Sequence, residues 1–232
     1  MDCQYRDVAK MIDHSLLNPV LKVEDLEKGI RVALDCDVAS VCILPYYLKR
    51  CGELLAGSQV KASTTIGFPH GGHATAIKLA EARQALDDGG QELDAVVNLS
   101  KVLSGDWDYV AAEVRALVDL THQRGQKVKI IFENCYLGDA QKIRLCEICG
   151  EARADWVKTS TGFGTGGATL EDLKLMRRHS PPHVQVKAAG GVRDLDMALA
   201  VRAAGATRFG CTRTVEVLEE CKRRLGISPA DR

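Results

Sequence analysis

The feature that most constrains this chain is a regular alternation between short apolar runs and longer stretches with helical periodicity. The apolar runs are three to seven residues long and rich in β-branched residues, which is typical of buried strands rather than helices. They predict eight strands, at Met11–Leu16, Val38–Leu44, Val60–Ile66, Leu93–Val97, Val128–Phe132, Asp155–Val157, Val184–Val186 and Thr207–Phe209.

Stretches with a period of about 3.6 residues lie between these runs, and one follows the last of them. The clearest predict helices at Val23–Leu34, Ala74–Asp87, Tyr109–Arg124, Asp139–Ala152, Leu170–His179, Asp194–Ala204 and Thr214–Leu225. Thr169 precedes two acidic residues, as a helix N-cap does. Gly89, Gly125, Gly150 and Gly205 stand where helices should end, because glycine tolerates the positive φ common there.

Eight strand–helix units in 232 residues average 29 residues each, which suits a single (β/α)₈ TIM barrel of the α/β class. A doubly wound open sheet is the alternative, but no G-x-G-x-x-G motif follows the first strand. No linker or low-complexity tract divides the chain, so we predict one domain covering residues 1–232.

Composition excludes several classes of protein. The 31 Lys and Arg balance 31 Asp and Glu, so the strong basic field that nucleic-acid binding requires is not expected. No apolar run is long enough to cross a membrane, and the N-terminus does not resemble a secretion signal, so we expect a cytoplasmic protein. The nine cysteines are too sparse for a disulfide scaffold, and Cys146 and Cys149 have no second pair at zinc spacing, so we expect no metal site.

In such a barrel, chemistry belongs to residues at and just after the carboxyl ends of the strands. The polar and glycine residues at these positions are Asp13, His14, Cys42, Gly67–His70, Asp94, Asn98, Glu133, Lys158, Lys187 and Gly210–Arg213. We expect them to crowd one end of the barrel, with Asp13 and Cys42 as candidates for substrate contact. His14 and His70 are expected to be structural.

Two lysines at equivalent strand ends carry most of the chemical argument. Lys158 and Lys187 each end an apolar strand, so their ammonium groups should share a water-poor barrel mouth and lower each other's pKa. A neutral lysine is a nucleophile that forms Schiff bases with carbonyl compounds. Asp94 could balance the two cations and relay protons. The alternatives are lysine stems that extend to solvent and a structural salt bridge for Asp94.

Glycine-rich segments follow Lys158, Lys187 and the last strand. Free backbone N–H groups before a helix bind anions, and barrels often hold phosphate at the loops after strands seven and eight. A small phosphorylated substrate is therefore expected, unless these glycines serve only tight turns.

Five segments resemble the deoxyribose-phosphate aldolase family of class I aldolases, in register from Ile12 to Arg213. They are IDHSLL, IGFPHG, ELDAVVN around Asp94, VKTSTGFGTGGAT around Lys158 and VKAAGGVR around Lys187. The resemblance implies a barrel enzyme without cofactor that reversibly cleaves 2-deoxy-D-ribose 5-phosphate to acetaldehyde and D-glyceraldehyde 3-phosphate, in deoxyribonucleoside breakdown.

The resemblance also assigns roles to residues. Lys158 corresponds to the Schiff-base lysine, Lys187 to the lysine that tunes it, and Asp94 to the acid/base carboxylate. The phosphate contacts it implies are Gly162, Phe163, Gly190, Gly191, Val192, Arg193, Gly210, Thr212 and Arg213. A homodimer is a further expectation, since barrels of this size often form one.

The chain departs from the family pattern after the last strand, where Thr212 and Arg213 replace a pair of serines. Leu44 and Asn134 also stand where asparagine and threonine are common. Arg213 could pair with phosphate directly or favour a different aldehyde acceptor, so a Schiff-base aldolase with shifted acceptor is the second hypothesis. The third, a catalytically silent barrel that binds a sugar phosphate, would require a missing catalytic residue.

Overall fold

Eight parallel strands close into a barrel in the computed structural model, which describes residues 3–227. The strands pair in sequence order, and the last pairs with the first to close the ring. Their bounds are β1 Ile12–Leu16, β2 Ser40–Ile43, β3 Lys61–Ile66, β4 Glu92–Val96, β5 Lys127–Ile131, β6 Trp156–Lys158, β7 Gln185–Ala188 and β8 Arg208–Cys211. Every predicted strand is confirmed within two residues at either end, and so is the (β/α)₈ barrel.

The helices surround the barrel and confirm all seven predicted ones. Their bounds are α1 Tyr5–Ala9, α2 Val23–Asp35, α3 Leu48–Leu55, α4 Thr75–Asp87, α5 Leu99–Leu103, α6 Trp107–Gln123, α7 Asp139–Ala152, α8 Leu170–His179, α9 Leu195–Ala203 and α10 Thr214–Leu225. Three helices, α1, α3 and α5, were not among the predictions. With five residues each, α1 and α5 are too short to show a clear helical period. The eight-residue α3 buries Leu48, Cys51 and Leu55 along one face, a spacing that the predictions did not use.

Local chemistry sets the ends of the helices. The Thr169 hydroxyl accepts a hydrogen bond from the Asp172 N–H at 3.1 Å, which confirms it as the N-cap of α8. The expectation for Gly150 was wrong, because it lies inside α7, which continues to Ala152. A Cβ at this position would lie 2.9 Å from the Pro181 side chain, so Gly150 allows α7 to approach the segment before β7 closely.

Side chains that alternate along each strand form two different layers. Residues such as Leu93, Val157 and Val186 are fully buried in the apolar core between strands and helices. Their neighbours one position away, such as Asp94 and Lys187, point into the barrel, because successive residues of a strand face opposite sides. The inside of the barrel is therefore rich in polar and charged groups, and the apolar core surrounds it.

The prediction of one domain includes residues 1–2 and 228–232, which lie outside the described residues, so it stays a prediction for the whole chain. No helix within residues 3–227 is both long and apolar enough to span a lipid bilayer.

A buried ion pair connects α4 and α6 beneath the end of β4. The Lys78 ammonium lies 2.8 Å from Glu113 Oε1 and donates to the Val96 carbonyl oxygen, also at 2.8 Å. The Asn98 N–H and the Thr75 hydroxyl donate to the same carboxylate. The pair therefore ties two helices to the carboxyl end of a strand that carries site residues.

We expect Lys78→Met to lower the free energy of unfolding by about 3–5 kcal/mol, because it leaves the Glu113 carboxylate buried without its cation. Urea unfolding followed by circular dichroism measures this loss. Lys101→Met is the matched control: the Lys101–Asp106 pair is largely exposed, so its loss should change stability little. Equal unfolding midpoints for both variants would contradict the role assigned to Lys78.

Candidate active site

The Asp94 carboxylate, in the middle of β4, contacts three lysines inside the barrel. Its Oδ2 atom lies 2.7 Å from the Lys158 ammonium and 2.7 Å from that of Lys187, while its Oδ1 atom accepts from Lys129 at 2.9 Å. All four side chains are buried. The structure thus brings together the three residues predicted to be catalytic. The ammonium groups of Lys158 and Lys187 are close neighbours, because each lies 2.7 Å from the same Asp94 oxygen.

Lys158 is poised to act as a nucleophile. Its pKa is lower than usual because burial disfavours the ammonium form, and Lys187 lowers it further against the opposing effect of Asp94. A lower pKa leaves a larger neutral fraction of the amine at a given pH. The neutral amine is the form that attacks a carbonyl carbon.

Lys187 differs from the prediction that the two lysines lower each other's pKa. Burial disfavours its charge, but the carboxylates of Asp13 and Asp94 outweigh burial and raise its pKa. Lys187 therefore keeps its proton, and the prediction holds only for Lys158. Asp94 is ionised: burial would raise its pKa, yet Lys129, Lys158 and Lys187 together hold it well below the usual range.

A second tier of charges lies deeper in the barrel. Arg208 pairs with Asp13 and also with Glu92, at 2.8 Å, and Lys129 pairs with Glu92 and with Asp13. Asp13 in turn pairs with the ammonium of Lys187, which links this tier to the first. Asp13 was predicted to contact the substrate, whereas Glu92, Lys129 and Arg208 were not among the predicted site residues. Charges two positions apart in short buried strands, as in ELDAV and KVKII, were the available signal.

A cavity of about 460 Å³ opens at the carboxyl ends of the strands, with Lys158 in its wall. The predicted phosphate contacts that line it are Gly162, Phe163, Gly190, Gly191, Val192, Arg193, Gly210 and Thr212. Arg213 is not in the wall, so its contact with phosphate stays a prediction. Ser15, Leu17, Asn18, Thr161 and Ala189 also line the cavity and were not predicted as contacts.

The loops after β6 and β7 meet backbone to backbone beside this cavity. The Ala168 N–H donates to the carbonyl oxygens of Ala189 and Gly190, at 2.9 and 3.0 Å. A Cβ on Gly167 would lie 2.3 Å from the Gly190 oxygen, and Gly190 itself has a φ of +76°. Only glycine satisfies both requirements, which gives the glycine-rich segments a structural reason beyond turn formation.

Glu133 supports the same wall from the end of β5. Its backbone is left-handed, with a φ of 56°, and its carboxylate accepts from both the backbone N–H and the hydroxyl of Thr161. The Thr161 hydroxyl in turn accepts from the Phe163 N–H at 3.0 Å. Phe163 packs edge to face against Phe68 from the loop after β3, with ring centroids 5.3 Å apart. These contacts fix the backbone around Gly162.

Cys42 and His14, which also stand at predicted strand ends, are buried and uncharged. Cys42 is buried, and desolvation raises the pKa of its thiol, so it carries no charge near neutral pH. His14 is also buried, which lowers its pKa to about 4, and its Nδ1 atom lies 2.8 Å from the Thr214 hydroxyl oxygen. His14 is therefore a structural link to α10, as expected. Among the described residues, no cluster of three His, Cys, Asp or Glu side chains could hold a metal ion.

Comparison with known proteins agrees with this geometry. Residues 7–213 match the family described as DeoC/LacD family aldolase. The chain belongs to this aldolase family. A deoxyribose-phosphate aldolase from Rhodopirellula baltica is 66% identical to this aldolase over 226 residues, covering 97% of this chain and 94% of the relative. One from Thermococcus gammatolerans is 46% identical, covering 92% and 96%.

A solved structure supports the same family. The deoxyribose phosphate aldolase from Aeropyrum pernix, described as having a unique tetrameric structure, matches this aldolase with a TM-score of 0.88 and 34% identity. The match covers 94% of this chain and 92% of that one. The resemblance inferred from five sequence segments is confirmed.

We expect Gly167→Ala in this aldolase to weaken binding of inorganic phosphate at least about tenfold, because the new methyl group forces the two loops apart. Isothermal titration calorimetry measures the affinity. Gly72→Ala, in the loop after β3, is the control, since a Cβ there meets nothing within 4 Å. Unchanged phosphate affinity in a folded Gly167→Ala variant would contradict the importance of this contact.

Proposed function

We propose that this aldolase reversibly cleaves 2-deoxy-D-ribose 5-phosphate to acetaldehyde and D-glyceraldehyde 3-phosphate through a Schiff base on Lys158. The observation that carries the proposal is a buried lysine of lowered pKa in the wall of a cavity rimmed by glycine-rich backbone. The relatives named deoxyribose-phosphate aldolase support the choice of substrate.

The reaction begins when the neutral Lys158 amine attacks the aldehyde carbon, C1, of the open-chain sugar. The carbinolamine that forms loses its hydroxyl as water and leaves a protonated imine. Lys187 is the proton donor suited to this step because its raised pKa keeps it charged, and it lies 2.7 Å from the carboxylate oxygen that Lys158 also contacts. Asp94 remains ionised and accepts hydrogen bonds from both amines.

The protonated imine then acts as an electron sink. The C3 hydroxyl loses its proton, the bond between C2 and C3 breaks, and its electron pair moves toward the imine nitrogen. This releases D-glyceraldehyde 3-phosphate and leaves a two-carbon enamine on Lys158. Protonation at C2 and hydrolysis of the resulting imine release acetaldehyde and restore the amine.

The phosphate group occupies the rim of the cavity, between the loops after β6, β7 and β8. Backbone N–H groups of Gly190 and Gly191 and the guanidinium of Arg193 are the donors available in that wall. Thr212 adds a hydroxyl to the same lining. Arg213 follows directly and belongs to the proposed phosphate set as an outer contact.

Arg213 also motivates the second candidate, a Schiff-base aldolase of this family with a different acceptor aldehyde. A long cation at this position alters the charge beside Thr212, whereas the catalytic group of Lys158, Lys187 and Asp94 is complete. The two candidates share their chemistry and differ in the aldehyde released.

Two expectations about the cellular setting accompany the proposal. We expect the enzyme to act in the cytoplasm, where its nine cysteines, all free in the structure, would stay reduced. We also expect self-association, with a homodimer as the simplest form.

Borohydride reduction in the presence of 2-deoxyribose 5-phosphate should attach the reduced adduct to Lys158, located by mass spectrometry. Lys158→Ala should abolish the adduct, whereas Asp94→Asn should lower kcat by about 10²–10⁴-fold, because the neutral amide no longer holds the Lys187 ammonium in place for proton transfer. Because Lys158 reacts as the neutral amine, activity should rise with pH through its pKa, which lies below the usual lysine value. An adduct confined to another lysine would refute the mechanism.

Phosphorylated and unphosphorylated deoxyribose separate the two candidates. Arg193→Ala should lower kcat/KM for the phosphorylated sugar by about tenfold to a hundredfold, the effect of losing one charged hydrogen bond, and leave the unphosphorylated sugar unaffected. Arg213→Ala should show a smaller loss of the same kind. Equal losses on both sugars would remove phosphate binding as the role of the substituted arginine.

A further inference from the structure

The barrel interior contains more buried cations than carboxylates. Seven charged side chains form one connected set of ion pairs. We call this set the interior network; its members are Asp13, Glu92, Asp94, Lys129, Lys158, Lys187 and Arg208. Three carboxylates thus face four cations. Buried charges are stable only when they are paired, so one of the four cations is the least supported.

The contacts identify that cation. Lys158 contacts one carboxylate, that of Asp94, and shares it with Lys129 and Lys187. Lys187 contacts two carboxylates, those of Asp13 and Asp94.

The other two cations are supported at least as well as Lys187. Lys129 reaches three carboxylates, those of Asp13, Glu92 and Asp94. Arg208 reaches two, those of Asp13 and Glu92. Among these cations, Lys158 is the one whose pKa is lowered, while the pKa values of the other three are raised.

Arg208 and Glu92 hold the deep end of the interior network, away from the substrate cavity. Both begin their strands, β8 and β4, and Arg208 stacks on the Trp156 ring with its guanidinium carbon 5.2 Å from the ring centroid. Neither residue lines the cavity that contains Lys158. Their effect on the reaction must therefore pass through Asp13 and Lys129.

We propose that Arg208 and Glu92 are positioning residues that decide which of the four buried cations gives up its proton. Arg208 pairs with one oxygen of Asp13, while Lys187 and Lys129 contact the other, so Asp13 draws these two lysines away from Asp94 less strongly. With those two lysines kept on Asp94, Lys158 has only a shared carboxylate and becomes the neutral amine. This inference deepens the proposed function and rests on it for the role of Lys158.

The proposal predicts opposite effects for the two residues. Without Arg208, Asp13 competes for Lys187 and Lys129, Asp94 is left to Lys158, and the ammonium form of Lys158 is favoured. Without the Glu92 charge, Lys129 relies more on Asp94 and competes with Lys158, so the neutral form is favoured. A purely structural role would not reverse the sign between two residues that contact each other.

Other groups around Lys158 do not account for such effects. The titratable or charged groups that face it, beyond the interior network, are Cys42 on β2, and Cys211 on β8 and Arg193 in the cavity wall. Burial raises the pKa of the Cys211 thiol, which is therefore neutral. The Cys42 thiol is neutral because burial raises its pKa. Arg193 is unchanged in every variant.

The test measures the protonation of Lys158 without any sugar. Formaldehyde and cyanoborohydride methylate neutral amines, and mass spectrometry gives the rate at Lys158 from pH 5 to 10 relative to exposed Lys101 in the same sample. The midpoint is the pH at which the methylation rate of Lys158 is half of its maximum. It should rise by about one pH unit or more in Arg208→Gln and fall in Glu92→Gln. It should stay near the native value in Arg208→Lys and in the double variant.

Arg224→Gln is the matched control, because Arg224 also pairs with two carboxylates, Asp196 and Glu220, but at the surface. Its midpoint should equal that of the native enzyme. Midpoints that do not move, or that move in the same direction for Arg208→Gln and Glu92→Gln, would overturn the proposal. If Arg208→Gln does not fold, the double variant must still lie above Glu92→Gln.

Failure of the proposed function and failure of the positioning role give different results. If the enzyme does not cleave deoxyribose 5-phosphate, the sugar will leave no adduct on Lys158, yet the methylation midpoints will still report on the interior network. If only the positioning role is wrong, the sugar adduct will form on Lys158 and the midpoints of the folded variants will not separate.

Discussion

The carboxylate of Asp94 is shared by three ammonium groups inside the barrel, and much of the site follows from this sharing. A carboxylate between three cations remains ionised despite full burial, and each lysine receives only part of its stabilisation. Lys129 and Lys187 have further carboxylates to rely on, whereas Lys158 has none. The reactive amine is thus chosen by unequal access to negative charge, not by its own burial alone, since all three lysines are buried.

Such an interior is possible because the apolar core lies elsewhere. The outward faces of the strands pack against the helices and bury residues such as Val41, Val128 and Phe209 completely. Burial of isolated charges would cost several kcal/mol per ion, so a polar interior requires mutual pairing and an independent source of stability. The layer between strands and helices supplies that stability, which leaves the inside of the barrel free for electrostatics.

The sequence predicts the strands and long helices well because each has a clear period or a continuous apolar run. Lys158 and Lys187 are also predictable, since strand ends in a barrel converge, whereas Asp94 lies in the middle of β4 and reaches both lysines inside the barrel. Lys129 and Arg208 were not predicted, because the sequence of a strand that is buried on both faces does not show which of its residues point into the barrel. The contact between Gly167 and Gly190 is equally hidden, since it joins two loops that only the closed barrel brings together. Gly150 shows the reverse error, where a typical helix-ending residue serves a close approach instead.

The backbone contact between the loops after β6 and β7 leaves no room for a side chain at Gly167 or Gly190. Variation among acceptor aldehydes therefore has to come from other lining positions, such as Ser15 in β1 and Asn18 in the loop after it. The backbone at the loop contact is fixed, whereas the side chains at these other positions are open to substitution. Libraries that seek new carbon–carbon bond-forming partners belong at those positions.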